Sequence, residues 1–227
     1  KTILIGANLS NVDLSGISLS HRDLSNTNLS GVDLSGRNLS NTNLSGVDLS
    51  SHDLTNTILV GANLSDANLS GVNLSGHDLS GIILHRTNLY GTNLSNTNLS
   101  WASFIENTNH EHYDPKHYEI NHEEYNDAVL LKNTNLKNAD LRHANLHGLD
   151  LSGTDFSPYR LDYSDLSGAN LSGVDLSDKN LKHANLWHTN LDNANLDNAN
   201  LFAVRLYNTS FDNTVLTCNG NAVCTTP

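Results

Sequence analysis

Leucine recurs at every fifth position from Leu4 to Leu99, and Phe104 completes an unbroken run of 21 such positions. After a gap the beat resumes at Leu131 and runs, through Phe156 and Phe211, to Leu216 for 18 more. A period of five matches neither the 3.6 of an amphipathic helix nor the 2 of a strand. The chain must therefore turn a corner every five residues. The ten residues NTNLSGVDLS at 26–35 return letter for letter at 41–50, the mark of an array grown by copying.

Each central leucine has a fixed context. Two positions earlier stands a small or β-branched residue, as at Ala7, Val12, Ile17, Thr27, Val32, Ala139, Ala144, Ala169, Val174 and Ala194. Asn or Asp comes between, Ser follows, and Gly or Asn often comes next. The leucine and the small residue are expected to point inward and fill a narrow core. The Asn, Asp, Ser and Gly are expected to point out or build corners, where their local hydrogen bonds favour turns.

This A(D/N)LSx pattern resembles the pentapeptide repeat family. The resemblance covers the chain apart from a stretch near 105–128 and the last ten residues or so. It implies an all-β fold, a right-handed quadrilateral β-helix in which four pentapeptides form one square coil. About ten coils, stacked about 4.8 Å apart, would make a rod. The expected organisation is a first β-helix segment at 1–104, an insertion at 105–128, a second segment at 129–216 continuous with the first, and a cap or tail at 217–227.

The insertion has its own composition. All five Glu of the chain lie in it, with four of the twelve His and three of the seven Tyr. Asp114-Pro115 reads as a helix start, and Tyr118, His122, Tyr125 and Val129 follow roughly one helical stripe, so a loop and a short helix are expected. His110, His112, His117 and His122 are of ligand type for a transition metal, but their spacing fits no standard metal motif, and a solvated loop is the preferred reading. The Ser, His and Asp elsewhere are repeat residues with nothing to single out a nucleophile. No catalytic residue and no cofactor are expected.

Some inward positions carry unexpected residues: Arg22, Arg37, His52, His77, Tyr159 and Lys179. A charge sealed among leucines would be costly, so these side chains are expected to reach past the corner to carboxylates or carbonyls. Asp13, Asp33 and Asp53 recur at a step of 20, on one side of three successive coils, and should repel one another. The same column continues with Asn73 and Asn93, which would relieve the repulsion.

The net charge of −12 argues against direct binding to nucleic acid or anionic membrane and favours a partner with a basic surface. The leading expectation is a non-enzymatic protein–protein interaction scaffold. Its contact candidates are Asp13, Asp33 and Asp53 on the rod and Tyr118, Glu119, Glu123 and Tyr125 in the insertion. The family resemblance supplies an alternative, a DNA mimic binding a type II topoisomerase (DNA gyrase or topoisomerase IV) to inhibit it or protect it from quinolones. DNA-mimicking members pair through an apolar C-terminal helix, whereas this chain ends in TVLTCNGNAVCTTP. An ice or surface binder is a minor alternative, disfavoured because Asp is expected on all sides of the rod.

Cys218 and Cys224 either close a small terminal loop or stay as free thiols. Eleven Asn-x-Ser/Thr sequences would invite glycosylation in a eukaryotic secretory pathway, so a bacterial cytoplasmic protein is expected, with secretion as the alternative. The chain contains no Met, and Lys1 reads as the start of a processed or excised form. An end-to-end homodimer through the N-terminal coil, with Ile3 and Ile5 at the contact, is also expected.

Overall fold

The computed structural model describes residues 4–104, 136, 139–156 and 160–216. Its architecture follows from one turn repeated. At the corner after Leu44, the Val47 N–H donates to the Leu44 carbonyl at 3.2 Å, which closes a four-residue turn. That turn places Gly46 at φ +70°, in the left-handed region. The same corner position, two residues after each central leucine, has φ between +52° and +75° at every described site other than Gly16 and Ser51. Gly and Asn tolerate this region best, which is why the repeat keeps returning to them.

Four corners close one coil. Parallel bridges join residues that precede a central leucine to their counterparts four pentapeptides on, such as Asn43 to Asn63, Asp48 to Asn68, Asn73 to Asn93 and Asp78 to Asn98, one on each of four sides. We number the sides by their central leucines, each taken with two residues on either side of it. Face 1 holds Leu24 and Leu44, face 2 Leu29 and Leu49, face 3 Leu34 and Leu54, and face 4 Leu39 and Leu59. Neighbouring coils are laced three times per pentapeptide. Leu44 N–H donates to Asn63 O at 2.7 Å, Gly46 N–H to Ser65 O at 2.8 Å, and Asn63 N–H back to Thr42 O at 2.9 Å. The chain leaves each face after so few residues that every pairing is a single-residue bridge, and no longer strand forms among the described residues. The result is a repeat β-solenoid.

Across the interruption, Asn98 pairs with Asp140 and Ser103 with Asn145, a separation longer than the usual one by a whole coil and two residues. Faces 1 and 4 therefore continue in register, and the two extra residues account for the change of phase in the sequence. The expected loop and helix at 105–128 and the tail at 217–227 lie outside the described residues.

The core is a stack of leucines. Leu24, Leu39, Leu44, Leu49, Leu59, Leu64 and Leu69 are fully buried, and Phe104 and Phe156 take the same position at 1% exposure. Each such side chain contributes about 1.5–3 kcal/mol by leaving water. Inward threonines are buried without an orphaned hydroxyl, because Oγ1 donates to a central leucine carbonyl. Thr42 reaches Leu19 O and Thr87 reaches Leu64 O, both at 2.8 Å.

The unexpected inward residues use the same carbonyls. His52 Nε2 lies 2.9 Å from Leu29 O, and His77 lies 2.9 Å from both Leu74 O and Leu54 O. Arg37 reaches out to Ser15 O at 2.8 Å and Arg22 to Ser18 O at 3.3 Å. Lys179 is half-buried, and Tyr159 lies outside the described residues. Val12 and Ile17, in the first described coil, are 42% and 50% exposed, while Val32 and Val47 at equivalent positions further on are buried. Among the described residues no helix is long and apolar enough to cross a membrane.

Candidate functional site

The outward surface is organised by the Asn or Asp that precedes each leucine. Its Oδ1 accepts the backbone N–H two residues later, as Asn63 accepts from Ser65 at 3.0 Å. Where Asn follows one coil later, its Nδ2 donates to the same oxygen. Asn63 donates to Asn43 at 3.2 Å, Asn68 to Asp48 at 3.1 Å, Asn93 to Asn73 at 3.0 Å and Asn195 to Asp175 at 3.0 Å. Each donor lies on the later coil, so the ladder has a direction. An ionised Asp has no proton to donate, and an Asp that follows another Asp breaks the ladder.

Face 3 contains that break. Asp13, Asp33 and Asp53 are exposed, stand on three successive coils, and no bridge joins any of them to its neighbour. Asp155 and Asp175 repeat the gap on the same face. The carboxylates stay charged. The Ser15 N–H and hydroxyl, with Arg37 further off, hold the Asp13 carboxyl below the usual range. The Ser35 hydroxyl and N–H do so for Asp33, helped by Arg37 and opposed by Asp53, and the Thr55 hydroxyl and N–H do so for Asp53. Asp175 is lowered by Ser177 and by Lys179. Arg37 and Lys179 occupy one column, and each borders a hollow at an acidic pair, of about 300 Å³ at Asp13 and Asp33 and about 260 Å³ at Asp155 and Asp175.

Asp stands on all four faces, as expected, but the charges are not spread evenly. Among the described residues, faces 2 and 3 carry eleven Asp and no Lys or Arg. Faces 4 and 1 carry six Asp and all eight Lys and Arg: Arg22, Arg37, Arg86, Arg142, Arg160, Lys179, Lys182 and Arg205. Two ion pairs lie on this second half, Arg86 with Asp66 at 2.7 Å and Arg142 with Asp140 at 2.6 Å. Burial opposes ionisation of Asp140, and the Arg142 hydrogen bonds outweigh it. The rod is thus acidic along one pair of adjacent faces and close to balanced along the other.

The balanced half also holds an aromatic column that the periodicity reading missed. Trp101, His143, Tyr163 and His183 occupy one corner on successive coils and stack with ring centroids 4.2, 4.9 and 4.7 Å apart. The stack crosses the interruption. Its signal in the sequence was the spacing of 20 from His143 to Tyr163 to His183, visible only once attention leaves the leucines.

On face 1, Ser167 donates Oγ–H to Asp165 Oδ1 at 2.6 Å, and His147 Nδ1 lies 2.7 Å from the same Oγ. The hydroxyl proton already serves the carboxylate, so Nδ1 is the donor in the second contact. That is the reverse of what activating a serine requires. Among the described residues no group of three or more His, Cys, Asp or Glu could hold a metal ion. The candidate ligands His110, His112, His117 and His122, the contact candidates Tyr118, Glu119, Glu123 and Tyr125, and the pair Cys218 and Cys224 lie outside the described residues.

A bridge from each pentapeptide to the fourth one on, a corner in every repeat and a leucine core define a solenoid of pentapeptides. The pentapeptide repeat family model matches residues 2–36, 53–86, 82–107, 128–157, 160–178 and 180–217. The chain belongs to the pentapeptide repeat family. Among solved structures it is similar to HetL, a pentapeptide repeat protein involved in heterocyst differentiation regulation from the cyanobacterium Nostoc sp. strain PCC 7120. The identity is 31% and the TM-score 0.50, over 91% of this chain and 85% of that one. It is also similar to a trypsin-treated variant of QnrB1, a plasmid-mediated fluoroquinolone resistance protein. There the identity is 18% and the TM-score 0.36, over 92% and 89% of the two chains. Rfr23 from the cyanobacterium Cyanothece 51142 is 22% identical with a TM-score of 0.16, over 77% and 91%. No curated protein matches the chain by sequence.

Proposed function

We propose that this chain is a non-enzymatic, regulatory protein–protein interaction scaffold whose contact surface is the acidic half of the rod, faces 2 and 3. The observation that carries this reading is the separation of charge: among the described residues, two adjacent faces hold eleven Asp without a Lys or Arg. Repulsion among aligned carboxylates costs stability, and a basic partner surface converts that cost into attraction and a faster encounter. A role in regulation is supported by the likeness to HetL, which is involved in heterocyst differentiation regulation. The site of action we propose is the bacterial cytoplasm. The test is affinity capture from a bacterial lysate on the immobilised chain, eluted by rising salt. Discrete proteins of high isoelectric point, released as salt rises, are expected; retention of nothing beyond a neutral control rod would refute the reading.

A second reading treats the same surface as an imitation of duplex DNA bound by gyrase or topoisomerase IV. The column Asp13, Asp33 and Asp53 favours it, since it sets charges at a regular step along one side as a nucleic-acid backbone does. Purified gyrase in a supercoiling assay decides the matter. Inhibition, or relief of quinolone inhibition, supports it; unchanged supercoiling at micromolar chain removes it.

A further inference from the structure

The corner column of face 4 reads His21, Asn41, Gly61, Gly81, Trp101, His143, Tyr163, His183. From Trp101 to His183 every storey holds a ring; the next corner is Ala203, and its neighbour Phe202 lies edge-on to His183 at 5.8 Å. Trp101 is the first ring. His143 covers one side of its indole at 4.2 Å with the planes 3° apart. On the other side the storey belongs to Gly81, which has no side chain. A Cβ built there would meet nothing nearer than the Gly61 Cα at 3.9 Å. The indole is 65% exposed, and among the described residues no ring covers its second face.

The residue type is itself out of place. A left-handed corner favours Gly and Asn, yet Trp101 adopts φ +64° there. A bulky residue at positive φ is strained, and among the described residues no corner side chain fills the storey beside this indole. The next storey is Gly61, also without a side chain, so the second face of the indole opens onto glycine backbone.

We propose that the empty storey over Gly81 is a docking slot for a planar cation, an arginine guanidinium of a partner protein, which stacks on Trp101 as the next rung of the ladder. Tryptophan is the best aromatic surface for a cation, and guanidinium is planar, weakly hydrated and suited to stacking. A carboxylate on this coil, Asp78, is exposed and stands three residues before Gly81. A nucleobase would also be flat, but it arrives with a phosphate backbone that an acidic rod repels. A lysine ammonium is attracted but has no plane to fill the slot. The proposal rests on the scaffold reading only in taking the partner to be a protein. It places a specific contact on the edge opposite the acidic faces.

The test uses the full chain labelled with ¹⁵N and follows the indole N–H signal of Trp101, assigned with Trp101→Phe. Trp187, which lies edge-on to Tyr207, is the internal control. N-acetyl-arginine amide and N-acetyl-lysine amide are titrated at fixed ionic strength. A saturable shift of Trp101 by the arginine probe is expected in the millimolar range, several-fold weaker for lysine and absent at Trp187. Gly81→His should abolish it by filling the storey with another ring. That variant keeps the fold, since His143 and His183 hold the same conformation at φ +58° and +60°. Equal response to arginine and lysine, undiminished arginine binding by Gly81→His, or a larger shift with N-acetyl-tyrosine amide would overturn the proposal. None of these outcomes bears on capture by the acidic faces.

Discussion

Leu64 and Ser65 are neighbours with opposite duties. Leu64 has no exposed surface, while the Ser65 hydroxyl donates outward to Asn63 Oδ1 at 2.6 Å. Leu64→Asp would place a carboxylate among stacked leucines and should lower the unfolding free energy by roughly 3–5 kcal/mol. Ser65→Asp loses one exposed hydrogen bond and should cost about 1 kcal/mol or less. Urea denaturation of both variants checks this, and equal losses would mean that inside and outside are assigned wrongly. Asp33→Asn should act in the other direction. It supplies the missing Nδ2 donor toward Asp13 and removes the repulsion with Asp53, and should raise the urea midpoint. The carboxyls of Asp13, Asp23, Asp33, Asp48, Asp53 and Asp175 are all lowered, chiefly by the following Ser or Thr. Groups with folded values below their unfolded ones add stability above about pH 4 that is lost as pH falls through the folded values. The urea midpoint should therefore hold at mildly acidic pH and drop below about pH 4; a midpoint that rises there would reverse the sign.

At the scale of the element, the unit is the whole four-sided coil rather than the pentapeptide. Deleting residues 26–45 removes one coil and joins Ser25 to Gly46, so each later face meets its own column. Stability then depends only on neighbouring coils, as in other solenoids. The shortened chain should fold with an unchanged circular dichroism shape, whereas removal of 26–42 sets corners against faces and should not. If both deletions fold alike, the four-sided coil is wrong. The corner every five residues was legible because leucine, corner residue and inward residue obey one period, while the closing of four corners into a coil was what the family resemblance implied. What hid the aromatic column was its own longer period, 20, seen through the interruption between Trp101 and His143.

For the whole molecule, the decisive property is an arrangement rather than a composition. The sequence makes the net charge of −12 plain, and the column of Asp13, Asp33 and Asp53 follows from a step of 20. The confinement of the described Lys and Arg to two faces depends on carrying the face register past residue 104, which took the bridges Asn98 to Asp140 and Ser103 to Asn145. Two variants of equal charge therefore test the interaction account most directly. One replaces Asp13, Asp33, Asp53 and Asp175 of face 3 with Asn; the other replaces Asp23, Asp78, Asp162 and Asp165 of faces 4 and 1. Both raise the net charge by the same four units, and both are compared with the parent for capture of the same lysate proteins at matched salt. The account predicts that the face 3 variant loses most of the captured partner while the other retains it. Equal losses in the two, or a greater loss from faces 4 and 1, would contradict it.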